Sequence, residues 1–323
     1  MNEINADALQ DWVPYRLIPQ NENDLSCKWF YLGDERISEP FFNDSISRCK
    51  SLPQNSTLKS SISSLAVMKD WSTQINTIPP TAFIFHISRC GSTLLSQLLC
   101  EQKENIVLSE VPFFDEILRF GFQHNSTEQM LPYVKAAIDL YGRPRHEDSC
   151  NLFIKTDSWH VHFYDVIRQL YPQVPIILLY RKPYEVIVSQ QKNRGMQAIP
   201  GLIAPEIFGF DSATIPLLNF DQYMANVIES YLSAFINILQ KDKYVVAVNY
   251  HEGFTTIMQN ICNFLQLPIS QAWKLQMQQR TIYHAKYPDK KFEEQMDSTN
   301  TPSYLNACNK LYEQLEQLRL HKS

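Results

Sequence analysis

Six consecutive residues, Ser88, Arg89, Cys90, Gly91, Ser92 and Thr93, place a permanently charged fork, a glycine and three hydroxyls between the apolar runs AFIFHI and LLSQLLC. A strand that turns into a helix across such a segment leaves the first-turn N–H groups without intrahelical partners. Those groups and the positive end of the helix dipole attract an anion. Gly91 permits close backbone approach, Ser92 and Thr93 offer hydroxyls to phosphate oxygens, and Arg89 supplies a forked donor. The segment is not a Walker A loop, because Ser92 stands where GxxxxGK[ST] requires lysine and no glycine opens the loop. Cys90 has no sequence partner that would make it a nucleophile and is read as loop structure. The competing reading of Ser88, Ser92 and Thr93 is simple helix capping.

A second segment, VPIILLYRKPYEVIVSQ, delivers Arg181 to the end of an apolar run, with Pro183 suited to a first helical position and Ser189 two turns into the helix. Ligands of open α/β sheets bind at such strand ends. Arg181 and Ser189 are therefore expected to clamp a second phosphate.

The elements that must position these residues follow from hydrophobic periodicity. AFIFHI, NLFIK (151–155) and VPIILLY (174–180) read as interior strands. Helices are expected after the glycine, with Leu94, Leu95, Leu98 and Leu99 on one face, and over 161–170, 220–239 and 255–267, with a strand at 244–248. Repeated strand, helix, strand order predicts a P-loop-like three-layer α/β/α fold with a central, mainly parallel sheet. Residues 1–50 read as a short strand or two with turns, and 51–70 is ambiguous between loop and helix. The chain closes in a helix with Thr301 as N-cap, Pro302 at its first position and Leu305, Cys308, Leu311 and Leu315 on its packing face. No linker breaks the composition, so residues 1–323 are taken as one domain, with 1–80 an extension and 81–267 the nucleotide-binding core.

SRCGSTLLSQLL together with LLLYRKPYEVIVS resembles the paired phosphate-binding motifs of the PAPS-dependent sulfotransferases, over roughly residues 81–267. The resemblance implies PAPS as sulfuryl donor and PAP as product. The loop from Arg89 to Thr93 would receive the 5'-phosphosulfate, Arg181 and Ser189 the 3'-phosphate, and Tyr250 would lie near the adenine. Arg89 stands where cytosolic members usually have lysine. The chain departs from those members in carrying Lys155-Thr156-Asp157 for their Lys-Thr-His, and in lacking their C-terminal Arg-Lys-Gly segment, for which Arg280, Lys286 or Lys290 are the candidate substitutes.

Sulfuryl transfer needs an aligned acceptor, a base, and positive charge on the leaving phosphate. Arg89 and Lys155 are the charge candidates. For the base, Glu110 comes first, before Asp157 and His160. His160 and His162 are two apart, a poor metal pair on a helix, and no HExxH or tight Cys/His spacing occurs, so no metal is required. The segment from Gly195 to Phe210 reads equally as lid or packed crossover, and Phe113, Phe114 and Phe122 as core before acceptor contacts. Two rivals stand: an ATP-dependent phosphotransferase using Mg²⁺ held by Asp157, and a nucleotide-binding protein without sulfotransferase activity.

A net charge of -5 with scattered Lys and Arg argues against nucleic acid. No apolar run reaches the length of a membrane span, and the acidic, polar N-terminus does not resemble a secretory signal. The 7 widely spaced cysteines fit a reducing compartment. A cytoplasmic enzyme acting on a small-molecule acceptor is expected.

Overall fold

Apolar runs without alternation form strands covered on both faces. Each of the three runs becomes an interior strand of the computed structural model, which describes residues 10–21, 24–55, 61–213, 215, 218–280 and 302–322. In chain order the elements are β1 (Trp12–Asn21), β2 (Asp24–Tyr31), α1 (Phe42–Cys49), β3 (Ile62–Ser64), α2 (Leu65–Ser72), β4 (Pro80–His86), α3 (Ser92–Cys100), β5 (Asn105–Ser109), α4 (Pro112–Gln123) and α5 (Thr127–Tyr141). There follow β6 (Asn151–Lys155), α6 (Tyr164–Leu170), β7 (Ile176–Tyr180), α7 (Pro183–Lys192), α8 (Phe220–Lys241), β8 (Val245–Asn249), α9 (Phe254–Leu265), α10 (Gln271–Arg280) and α11 (Asn306–Lys322).

One sheet has the strand order β5-β6-β4-β7-β8, and a second, β1-β2-β3, is antiparallel. The β5–β6, β4–β7 and β7–β8 ladders are parallel. Beside β4, Leu152 donates to Thr81 and Thr156 to Ile84, so β6 rises in the same direction. The connection from β4 leads towards β5, whereas those from β5, β6 and β7 lead the opposite way. Right-handed crossovers then put α3 on one face and the later connecting helices on the other, which gives the three-layer α/β/α class. Strand order reverses between β4 and β7, and the crevice at the carboxyl ends of those strands is where such sheets take ligands.

By its internal contacts the chain divides into two compact units interleaved in sequence. The first comprises Met1–Ala82, Ser96–Lys155 and Val166–Pro172. Its β1–β2 hairpin is tied to α4 through Glu116, which accepts hydrogen bonds from Arg16 Nη1 at 2.6 Å and from the Leu17 N–H at 2.7 Å. Tyr141 of α5 donates its hydroxyl to the Pro14 carbonyl and meets Phe42 and Phe114 edge-on. Phe113 and Phe114 are buried and serve as core, while Phe122 is half-buried. The expected strands in 1–50 are thus a hairpin, accompanied by α1, and the ambiguous stretch 51–70 contributes β3 and the start of α2.

The second unit comprises Phe83–Leu95, Thr156–Asp165 and Gln173–Ser323. The helix expected over 161–170 begins instead as a 3-10 turn, Ser158–Phe163, before α6. The terminal helix starts later than its cap signals imply, because Pro302 precedes a 3-10 turn at Ser303–Leu305. Leu305, Cys308 and Leu315 are buried as the periodicity requires, and Leu311 is half-buried. Thr301, Lys286 and Lys290 lie outside the described residues.

Candidate phosphate-binding site

Strand β4 is apolar and buried up to His86, and its register places His86 beside Leu179 of β7, whose own neighbour in β8 is Val248. One residue further, Tyr180 pairs with Asn249. The loop after β4, Arg181 after β7 and Tyr250 after β8 therefore leave the same sheet edge in register. The parallel ladder is what gathers sequence segments so far apart.

The loop itself is bent through left-handed backbone at Ser88 (φ 64°), Arg89 (φ 49°) and Gly91 (φ 88°). Two non-glycine residues in that region cost roughly 1–2 kcal/mol each, so neighbours must hold them. His86 does so from both ring nitrogens. Its Nε2 donates to the Thr156 carbonyl at 2.9 Å, which leaves Nδ1 to accept from the Ser88 N–H at 3.1 Å. The Ser88 hydroxyl accepts from Gln190 at 3.2 Å and from Gln197 at 2.7 Å. Ser88 is thus a brace of the loop, with only its proton left to give a ligand.

Cys90 is buried, with Sγ 3.4 Å from the Leu179 carbonyl, and can offer a ligand only its backbone N–H. A Cβ on Gly91 would lie 2.5 Å from Phe254 Cζ and 2.9 Å from Tyr250 Cδ2. Glycine is required there by contact as well as by φ. Ser92, buried, and Thr93 open α3, placing the first-turn N–H groups and the helix dipole at the loop.

Arg89 reaches across to α7, donating from Nε to the Ser189 hydroxyl at 2.9 Å and from Nη2 to the Ser189 carbonyl at 3.2 Å. Ser189 is therefore partnered by Arg89, where the sequence reading pairs it with Arg181. Glu185, one helical turn beyond Arg181, is within direct reach of its side chain. Arg181 Nε donates to Glu185, and the guanidinium carbon lies 4.0 Å from the centre of the Tyr250 ring. Tyr250 packs between that guanidinium and Gly91. His251, capped by Asn249, directs Nε2 to the Glu185 carboxylate at 3.0 Å.

Asp157 and His160 belong to the same unit. His160 is buried, its N–H donates to the Asp157 carbonyl at 3.1 Å, and its Nε2 stands 3.8 Å from the Asp157 carboxylate. The segment from Gly195 is packed: Gln197 braces Ser88, the Gly195 N–H donates to Gln190 at 2.8 Å, and Ala198, Ile203, Ile207 and Phe208 are buried. Met196 and Leu202 are its exposed apolar residues.

Within the first unit, Glu110 and Lys155 leave the ends of the paired strands β5 and β6. Lys155 Nζ lies 2.5 Å from Glu110 Oε1, with the lysine side chain 0% exposed and the glutamate 25%. The Phe41 ring centre is 5.1 Å from the ammonium. Glu110 is held at φ 55°, its N–H donating to the Lys155 carbonyl at 2.9 Å.

The sequence reading misses His86, Glu185, Gln190, Gln197 and His251. Glu185 alone has a readable signal, an acid one helical turn beyond Arg181. The others act through neighbours that only the fold supplies.

The fold and this edge define a three-layer α/β/α protein with a charged, hydroxyl-bearing strand-to-helix loop beside its topological switch point. Among solved structures the chain is similar to the sulfotransferase domain from the curacin biosynthetic pathway, at 17% identity and a TM-score of 0.48, covering 75% of this chain and 99% of that one. It is likewise similar to the sulfotransferase domain of the Synechococcus PCC 7002 olefin synthase, at 18% identity and 0.47, covering 75% and 96%. The mouse sulfotransferase SULT7A1, solved in complex with PAP, matches at 11% identity and 0.41, covering 79% and 88%. No protein-family model and no curated protein matches the chain. Among the described residues no helix is long and apolar enough to cross a membrane.

Proposed function

We propose that the chain is a sulfotransferase that moves the sulfuryl group of PAPS to a hydroxyl or amine of a small organic acceptor and releases PAP. The observation that carries the reading is the Arg89–Ser189 contact, which ties together two phosphate-type motifs 100 residues apart. Neither motif alone is specific. Their union beside a switch point supports one ligand with two separated phosphate groups.

In this reading the 5'-phosphosulfate lies over Arg89 and the first turn formed by Gly91, Ser92 and Thr93, and the 3'-phosphate lies at Arg181 with Ser189. Tyr250 is the adenine neighbour. The acceptor oxygen attacks sulfur, the bond from sulfur to the phosphate oxygen breaks, and Arg89 with the helix N-terminus takes the charge gathering on the leaving phosphate. Glu110 is the proposed base, with Lys155 as its charge partner and Asp157 and His160 as the other candidates. The seven widely spaced cysteines fit a reducing, cytoplasmic setting.

The Glu110 carboxylate is already ion-paired, which favours as second reading a nucleotide-binding protein without transfer activity. Calorimetry of PAP against ADP and ATP, on wild type and Arg181→Ala, tests the first reading. PAP is expected to bind at least about 100-fold more tightly than ADP, a difference of about 2.7 kcal/mol, and the substitution to erase that preference. Equal binding of ATP, or no binding of PAP, overturns it. Turnover of PAPS with a panel of alcohols, phenols and amines then separates enzyme from binder.

A further inference from the structure

Arg181 and His251 come from the ends of adjacent strands and converge on one carboxylate. Glu185 accepts from Arg181 Nε, and its oxygens lie 3.0 and 3.1 Å from His251 Nε2. The three side chains are 13%, 20% and 27% exposed for Arg181, Glu185 and His251. A carboxylate held by a guanidinium Nε–H and an imidazole uses donors that could equally meet the oxygens of a phosphate monoester. Glu185 sits on the first turn of α7, where the positive end of the helix also favours its carboxylate, so a ligand that replaces it must supply more than the two side-chain contacts.

We infer that Arg181 and His251 form a two-cation subsite for a terminal phosphate, and that Glu185 is its internal occupant, displaced when the ligand binds. The inference rests on the proposed nucleotide reading and adds His251 as a ligand and Glu185 as a competitor. A competitor within the fold lowers apparent affinity by the fraction of molecules in which the subsite is filled. His251 contacts Glu185 and the Tyr250 ring; Arg181 shares Glu185, and the neighbouring Glu252 is paired with Arg319 of α11. Glu252 is thus already matched, and Glu185 is the carboxylate that His251 contacts. Once Glu185 has swung away, His251 Nε2 and Arg181 Nε are the donors that meet the phosphate oxygens.

Calorimetric titrations of PAP and ADP into wild type, Glu185→Gln, His251→Gln and Arg181→Ala at neutral pH test this. Glu185→Gln is expected to tighten PAP about five- to ten-fold while leaving ADP, which lacks the 3'-phosphate, unchanged. His251→Gln is expected to weaken PAP about five-fold while leaving ADP unchanged. If PAP binds wild type and is lost in Arg181→Ala, yet Glu185→Gln and His251→Gln match wild type, the inference falls and the nucleotide reading stands. If PAP binds none of the four proteins, both fall.

Discussion

At Gly91 a hydrogen atom is all that separates the loop backbone from the rings of Phe254 and Tyr250. Gly91→Ala adds a methyl group at 2.5 Å from one ring and forces a φ of 88° on an L side chain. Strain of about 1 kcal/mol and overpacking of about 1–3 kcal/mol add to a loss of roughly 2–4 kcal/mol. Urea unfolding measures it, and an unchanged midpoint would show that the two rings move aside cheaply. The Glu110–Lys155 pair behaves asymmetrically. Glu110→Gln strands a fully buried ammonium and is expected to cost about 3 kcal/mol, whereas Lys155→Met leaves a partly hydrated carboxylate and an apolar chain against Phe41, at a smaller cost. The same unfolding series ranks them, and the reverse order would mean that water reaches Lys155.

Helix α11 holds the ends of the strands that carry the candidate site. Glu316 accepts from Tyr180 at the end of β7 and from Arg319 at 3.0 Å, Arg319 also reaches Glu252 at 3.2 Å, and Tyr312 accepts from Asn249 at 2.7 Å. Burial pushes the Tyr180 hydroxyl up, helped by its bond to Glu316, whereas hydrogen bonds from Arg319 and Tyr180 outweigh burial and hold the Glu316 carboxyl below its usual range. Arg319→Met leaves Glu316 and Glu252 without their shared cation and is expected to destabilise by about 2–3 kcal/mol. It should also loosen Arg181 and Tyr250, weakening PAP binding where a remote surface change would not. This helix was legible as a packing element from Leu305, Cys308 and Leu315, but its role as a clip was not. Strand cores and the loop at Arg89 could be read because apolar runs and glycine placement are local signals. The exchange of partners at Ser189, the bracing by His86 and Gln197, and the antiparallel hairpin packed on Glu116 depend on contacts 70 to 109 residues apart, which no window of sequence contains.

Over the molecule, ionisable groups sunk in the packed interior set how stability answers pH. Burial drives the thiols of Cys100 and Cys308 up to about 12 and that of Cys262 to about 11, so they stay protonated and slow to react at neutral pH. Cys150 is exposed, and a native thiol titration is expected to show its single fast reaction, the rest appearing on unfolding. His162 carries the larger consequence. It lies against Phe208 and Tyr231, its Nε2 donates to the Ser230 hydroxyl at 3.2 Å, and burial lowers its pKa to about 4. Between pH 6.5 and 4 the unfolded chain binds a proton at this site that the folded chain refuses. Stability is therefore full above pH 6.5, is lost progressively as pH falls through that interval, and is lost no further at this site below about 4, for a total of up to about 3 kcal/mol. Carboxylates titrate in the same range, so the informative quantity is the difference between wild type and His162→Gln, which keeps a donor for Ser230 but no basic nitrogen. Urea unfolding of both proteins at pH 7.5, 6, 5 and 4 is expected to show wild type losing ground to the variant at each step. Parallel curves would show that His162 takes up its proton in the folded state as readily as in the unfolded one.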